Sequence, residues 1–216
     1  MRKAIVILVT LFITSSCSIN TEIQQNESTT TPAPVTETEQ PDTNQDYTEK
    51  TVNGVRVFFH PQTSTLTNNR LISSIDRSVS MLPDHMKEVI REVTIYAVRR
   101  AEKCPTIVGT NRVAGCADGV NSEWIELIGY QSPAVILHEF GHIIGNMKTN
   151  RGTTIYSMFF ANVYSEEPVG PTNYSRRYYI EDFAETFSIY ILAPHVLKEG
   201  YPIRYEFFRN LFEDKL

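Results

Sequence analysis

Apolar residues recur at two different spacings along residues 49–216, and together they predict a fold that mixes helices and strands. Alternating or short continuous apolar runs are typical of strands, and they occur at 52–59, 93–98, 112–117 and 123–128. Helical spacing, with apolar residues three and four positions apart, occurs at 69–80, 83–90, 133–145, 178–190 and within 194–216. About 165 residues suffice for one core, so the pattern predicts a single compact α+β domain with a small mixed sheet.

The first seventeen residues have the layout of an export signal. Arg2 and Lys3 precede an apolar run at 4–13, and small polar residues at 14–16 lead to Cys17. An apolar run of about ten residues is too short to cross a bilayer as a helix. Cys17 after small residues indicates a bacterial lipoprotein anchored by a lipid on that cysteine, with simple secretion as the alternative. We therefore expect an extracellular or cell-surface location.

Residues 18–48 are rich in Thr, Glu, Gln, Asn and Pro and contain almost no large apolar side chains. Such a segment cannot bury enough surface to fold, so we predict a disordered tether ahead of the domain at 49–216. Removing residues 1–17 removes two basic residues and no acidic one, which changes the formal net charge from −5 to −7. The acidic balance and the lack of a basic stripe argue against nucleic acid as a partner.

Two further cysteines, Cys104 and Cys116, flank a segment predicted to be a loop. In an exported chain such a pair is predicted to form a disulfide. Two free cysteines that pack as small apolar residues are the alternative. Metal binding is less favoured, because the spacing matches no zinc-site pattern.

The strongest chemical signal is His138-Glu139-Phe140-Gly141-His142, inside the apolar helix predicted at 133–145. Residues four apart share a helix face, so His138 and His142 present two imidazoles at one place, with Glu139 beside them. This is the H-E-x-x-H arrangement, in which two nitrogen ligands hold Zn²⁺ and the carboxylate accepts a proton from water. Two hydrogen-bonded core histidines are the alternative. A buried helix must satisfy these polar groups, and one zinc ion would do so directly.

A catalytic zinc site needs a third protein ligand, and the helix predicted at 178–190 supplies the candidates. Glu181 and Glu185 fall on one face of this helix, one turn apart. Glu185 lies deep in the apolar run and is therefore assigned to zinc. Glu181 and Asp182 lie nearer the helix start, where they are predicted either to support the histidines from outside the ligand set or to stabilise the helix N-terminus.

The HEFGH motif, followed by YYIEDFAETF at 178–187, resembles the lethal-factor family of zinc peptidases, which includes secreted Pro-Pro endopeptidases. The resemblance extends over residues 50–216 and implies a zincin-type domain with one zinc ion. It implies that His138, His142 and Glu185 bind the metal. Glu139 is then the general base and acid.

The same resemblance implies an oxyanion donor. In this family a tyrosine seven residues before the ligand glutamate stabilises the oxyanion, and counting back from Glu185 gives Tyr178. Tyr179 is adjacent and is expected to pack. We therefore expect a secreted or surface-anchored zinc endopeptidase that acts on a protein or peptide, with Pro-Pro bonds as a candidate target taken from relatives. The alternatives are a non-catalytic surface-binding lipoprotein on the same scaffold and a toxin-type protease directed at host cells; the oligomeric state is not predicted.

Two segments are predicted to border the cleft. The segment at 112–118 is a candidate sheet edge to which an extended substrate would add by main-chain hydrogen bonds. Gly115 would allow close approach of the two backbones, although an ordinary edge strand bulged at glycine is the alternative. The polar and aromatic segment at 157–172 is predicted to connect the two zinc-binding helices and to line the rim of the site.

Overall fold

The computed structural model describes residues 46–104, 114–176 and 178–216. The predicted strand at 52–59 is in fact a hairpin, β1 (Thr48–Val52) and β2 (Val55–Phe59). Asn53 and Gly54 form the turn with φ values of 49° and 86°. A two-residue turn with both φ angles positive matches the twist of antiparallel strands, and Asn-Gly is its preferred sequence. Four of the five residues of β1 are exposed, so this strand has no apolar pattern.

Three more strands complete a mixed sheet within the described residues: β3 (Thr94–Val98), β4 (Gly115–Ala117) and β5 (Trp124–Ile128). The strand order is β1-β2-β3-β5-β4. Strands β2, β3 and β5 are parallel, whereas β1 and β4 pair antiparallel at the two edges. The described part of the predicted edge segment is therefore an edge strand, while residues 112 and 113 lie outside the described residues.

The helix predicted at 133–145 has the predicted bounds, and the other predicted helices form with bounds that differ by a few residues. They are α1 (Thr65–Ser80), α2 (Asp84–Glu92), α3 (Pro133–Gly145), α4 (Ile155–Phe159), α5 (Tyr179–Leu192), α6 (Pro194–Gly200) and α7 (Pro202–Phe212). A turn of π-helix, Phe160–Tyr164, continues α4. Ser64 caps α1 by accepting from the N–H of Thr67. The α+β class with a small mixed sheet is confirmed.

Helix α3 crosses α5 at very short range because glycine occupies the contact. A Cβ on Gly141 would lie 2.9 Å from Ala184 Cα, and a Cβ on Gly145 would lie 2.4 Å from the ring of Tyr156 on α4. All thirteen residues of α3 except Pro133 are buried. The two glycines therefore let α4 and α5 pack directly against the helix that carries the histidines.

The C-terminal segment packs against α5. Phe207 and Phe208 on α7 pack against Phe183 of α5, with ring centroids 6.4 and 5.0 Å away. The predicted packing role of residues 194–216 is confirmed, although the segment forms two helices. Among the described helices, none combines the length and the apolar character that crossing a membrane requires.

The predicted disulfide between Cys104 and Cys116 is confirmed. It joins the segment after β3 to β4. Glu126 on β5 reinforces the same junction, because its buried carboxylate accepts the backbone N–H groups of Glu102, Lys103 and Cys104 at 2.9, 2.7 and 3.3 Å. A covalent bond and a buried anion thus anchor the edge of the sheet that lies beside α3.

Candidate metal centre

Three ligand-type side chains converge where α3 crosses α5. His138 Nε2 and His142 Nε2 are 3.1 Å apart. Glu181 Oε2 lies 3.2 Å from the first of these nitrogens and 3.6 Å from the second. All three residues are buried, and their ligand atoms lie within 4.8 Å of one another. The spacing of the two histidines and the position of Glu181 on the facing helix bring them to one point.

The other nitrogen of each imidazole has a partner that fixes its tautomer. His138 Nδ1 is 3.1 Å from Glu185 Oε1, and a carboxylate only accepts, so this nitrogen carries the proton. His142 Nδ1 is 2.8 Å from the hydroxyl of Tyr156, which itself donates to the carbonyl of His142 at 3.3 Å. The Nδ1 of His142 therefore donates as well. In the neutral imidazoles both Nε2 atoms then direct lone pairs toward Glu181 and toward each other.

A cation suits such a cluster of acceptors. Glu181 Oε2 is buried and has no well-directed hydrogen bond from any described residue, which is costly for a charged oxygen unless positive charge is near. Burial lowers the pKa of His138, but the adjacent carboxylates of Glu181 and Glu185 outweigh this and raise the pKa to about 10. Burial raises the pKa of Glu181, but the two histidines lower it to about 2. In the metal-free protein a proton on His138 supplies the positive charge that the two carboxylates favour.

The two glutamates of α5 occupy different places from those predicted. Glu181 faces the Nε2 atoms, where the ligand is needed, whereas Glu185 contacts His138 Nδ1 and accepts from Thr172 Oγ1 at 2.9 Å. Burial alone does not separate them, since both are almost fully buried. The crossing of α3 and α5 decides the matter, because it places His138 between the two carboxylates. Asp182 pairs with Arg204 of α7 rather than supporting the histidines.

Glu139 is buried between α3 and the edge strand β4. A Cβ on Gly115 would lie 3.3 Å from Glu139 Oε1, so the carboxylate faces the backbone of β4. Its neighbour on the chain, His138, has a pKa that the charge of Glu139 helps to raise. The structure therefore brings the predicted base beside both the histidines and the predicted edge.

The predicted oxyanion donor, Tyr178, is an exposed residue at the start of α5. Its side chain is 61% exposed, and it occupies the N-cap position of α5. Tyr174, which the sequence interpretation did not select, packs with its ring centroid 5.7 Å from that of His138. Tyr174 stands seven residues before Glu181, so the family spacing finds it once the count begins from Glu181 instead of Glu185.

One comparison with known proteins shows the family of this chain. The family model described as "Anthrax toxin lethal factor, N- and C-terminal domain" matches residues 85–211, which is more than half of the chain. No curated protein matches the sequence. Among solved structures, the Pro-Pro endopeptidase PPEP-2 from Paenibacillus alvei is similar at 18% sequence identity and a TM-score of 0.48, and the match covers 72% of this chain and 97% of that chain. The family match includes both helices that carry the converging side chains.

Proposed function

Because the chain belongs to the family of the anthrax toxin lethal factor N- and C-terminal domain, we propose that it is a zinc endopeptidase whose metal is held by His138, His142 and Glu181. The observation that carries this proposal is the convergence of two imidazole Nε2 atoms and one carboxylate in a buried cluster, in which Glu181 Oε2 accepts no well-directed hydrogen bond from the described residues. This assignment replaces Glu185 by Glu181 as the third ligand.

The donor set fits zinc. Two nitrogens and one carboxylate oxygen are a common ligand set of catalytic zinc, which keeps a fourth position for water or substrate. Glu185 and Tyr156 each hold an Nδ1–H, so each imidazole keeps the tautomer and the orientation that a metal ligand requires. Thr172 in turn orients Glu185. The residues around the histidines therefore support metal binding rather than a plain hydrogen-bonded core.

Zinc held by His138, His142 and Glu181 would supply Lewis-acid chemistry, which makes water a nucleophile near neutral pH and polarises the scissile carbonyl. Glu139 accepts a proton from the attacking water and delivers it to the leaving amine. Tyr174 donates a hydrogen bond to the oxyanion, which develops only in the transition state. We do not assign this role to Tyr178, because it is exposed at the N-cap of α5.

The substrate is proposed to be an extended peptide lying along β4. The carbonyl of Ala114 accepts from the N–H of Ile128, and the N–H of Asp118 donates to the carbonyl of Trp124. The backbone polar groups of these two residues, which flank β4, therefore point toward β5. The alternate residues, Gly115 and Ala117, then direct their N–H and C=O groups away from the sheet. An extended peptide paired there would pass beside Glu139. A preference for Pro-Pro bonds remains part of the proposal on the strength of the resemblance alone.

We further propose that the enzyme acts outside the cell, anchored by a lipid on Cys17. The disulfide between Cys104 and Cys116 supports an exported location, because such bonds persist in oxidising compartments. Residues 1–45, which include Cys17, lie outside the described residues. Mass spectrometry of the mature N-terminus from a bacterial membrane fraction tests the anchor, and an unmodified Cys17 in the released protein would favour simple secretion.

The test of function is zinc-dependent cleavage of a randomised mixture of internally quenched peptides by the full-length chain. We expect cleavage that a chelator abolishes and added zinc restores. Glu139→Gln should abolish turnover while the protein retains one zinc, and Glu199→Gln on exposed α6 serves as the matched control. Zinc binding without any cleavage by the wild-type chain would instead support the non-catalytic surface-binding protein.

A further inference from the structure

Arg204 on α7 is a fully buried cation that pairs with Asp182 on α5 and with Glu167 on the chain that leads to Tyr174. Its Nε and Nη2 donate to the carboxylate of Asp182 at 3.3 and 2.5 Å. Its Nη1 donates to Glu167 Oε2 at 2.7 Å, and its backbone N–H donates to the same oxygen at 3.4 Å. Gly170 packs on the same group, since a Cβ there would lie 2.6 Å from Asp182 Oδ1. One guanidinium thus connects α5 and α7 to the chain that leads to Tyr174.

We call the segment that leads to Tyr174, residues 165–176, the cleft loop. Thr172 Oγ1 donates to Glu185 Oε2 at 2.9 Å, which attaches the loop to α5. Ser175 Oγ donates to the carbonyl of Thr172 at 2.8 Å and accepts from its N–H at 3.0 Å. Tyr174 lies between these two residues, so its backbone is fixed on both sides, and its ring lies beside His138.

We propose that Arg204 is a positioning residue for peptide hydrolysis, which acts through Asp182 and Glu167 to hold the cleft loop so that Tyr174 stays against His138. The proposal rests on the proposed function in one respect, namely that Tyr174 donates to the oxyanion. Arg204 itself touches neither histidine in the contacts described, so its effect on the reaction is indirect.

The chemistry of the cluster explains why arginine stands here. A planar guanidinium can form two bonds to one carboxylate and a third to another, which a lysine ammonium cannot do with the same geometry. A buried charge also requires its partners, since an unpaired buried ion is strongly unfavourable. The cleft loop is therefore held to the core by Glu167. The side chain of Glu167 remains 19% exposed, so its replacement is tolerated better than that of Asp182 or Arg204.

Glu167→Gln is the variant that tests this role, because it removes the charge on the loop and keeps the shape of the side chain. We expect kcat to fall roughly tenfold with KM changed less than about twofold, since a misplacement of about 1 Å can cost up to about a hundredfold in rate. Glu166→Gln, next to it and exposed, is the matched control and should change neither constant. Peptide cleavage by the zinc-loaded full-length chain is measured with the same quenched mixture.

A double-mutant cycle separates positioning from general destabilisation. If Glu167 acts through Tyr174, Glu167→Gln should have almost no further effect on kcat in a Tyr174→Phe background. A purely structural effect would lower kcat by the same factor in both backgrounds, and that result would overturn the proposal. The wild type, the two single variants and the double variant must bind the same amount of zinc, so that differences in kcat report on the hydrogen bond from Tyr174 and not on loss of metal.

Amide hydrogen exchange supplies a readout that does not depend on activity. In the metal-free chain, Glu167→Gln should speed the exchange of amides in the cleft loop by about tenfold, while Glu166→Gln leaves them unchanged. Unchanged exchange in Glu167→Gln would overturn the anchoring role. If wild-type protein binds zinc but cleaves no peptide, the proposed function fails, and the exchange experiment alone still decides whether Glu167 and Arg204 hold the loop.

Discussion

Replacing Glu181 and Glu185 separately with glutamine tests which of them is the zinc ligand. Each change removes one negative charge and keeps the size of the side chain. In the structure, Glu181 Oε2 faces both Nε2 atoms at 3.2 and 3.6 Å, whereas Glu185 Oε1 lies 3.1 Å from His138 Nδ1. The two variants therefore remove groups from opposite sides of the same imidazole.

The expected losses of zinc affinity differ, because a residue that binds the metal contributes more than a residue that only hydrogen-bonds a ligand. Zinc bound by four protein ligands is held by roughly 10–16 kcal/mol, or about 3 kcal/mol per ligand, and a loss of 3 kcal/mol weakens binding by more than a hundredfold. Loss of a partner behind a ligand costs roughly ten- to a hundredfold. We therefore expect Glu181→Gln to weaken zinc binding roughly two- to fifteenfold more than Glu185→Gln.

The assay is a competition titration of the metal-free protein with a zinc chelator of known affinity, followed by X-ray absorption of the zinc-loaded variants. Only Glu181→Gln should change the oxygen ligation of the ion, and Glu199→Gln should match the wild type in both measurements. If Glu185→Gln showed the larger loss and an altered ligand shell, the assignment from the structure would be refuted and the original prediction of Glu185 restored.

Three further outcomes follow from the same geometry. Tyr174→Phe should lower kcat about a hundred- to a thousandfold, whereas Tyr178→Phe should change it less than about twofold; steady-state kinetics on one cleaved peptide decides. Gly141→Ala places a Cβ 2.9 Å from Ala184 Cα, so denaturant unfolding should show a loss of about 1–3 kcal/mol. The pKa of His138 is raised to about 10 in the metal-free protein, so the stability that the protonated His138 contributes is complete below about pH 6.5 and is lost as the pH rises toward 10. The Tm of the metal-free protein should therefore fall over that pH range. A Tm that rises there would contradict a protonated His138.

Local patterns predicted the histidine-bearing helix well. The sequence predicts a helix at 133–145, and α3 has the same bounds. Proline suits the first turn of a helix, and the apolar stretch that follows continues the helix to Gly145, with one glycine, Gly141, tolerated in its interior. The spacing of His138 and His142 follows from the helix itself and needs no tertiary information. These features could therefore be predicted because they depend on residues within four positions of one another.

The error at β1 has an equally local cause. Asn53-Gly54 is a strong signal for a two-residue hairpin turn, and both residues adopt positive φ. The partner strand, β1, is polar and almost wholly exposed, so its residues give no apolar alternation. It forms because an edge strand needs only one neighbour, β2, and its side chains can remain in water. Turn chemistry alone could have placed this strand, whereas hydrophobic periodicity could not.

The choice between Glu181 and Glu185 depends on how two helices cross, and no local pattern contains that information. Both glutamates lie on one face of α5, and both are buried. Gly141 permits close contact with Ala184. This contact fixes how far α5 is shifted along the axis of α3, and at that shift Glu181 lies opposite the Nε2 atoms. The proposal of Tyr174 in place of Tyr178 follows from the proposal of Glu181 in place of Glu185, because the donor is found by counting back from the ligand. Since one contact between helices determines both assignments, a change at Gly141 that shifts α5 should disturb zinc affinity and loop position together, while leaving the HExxH helix intact.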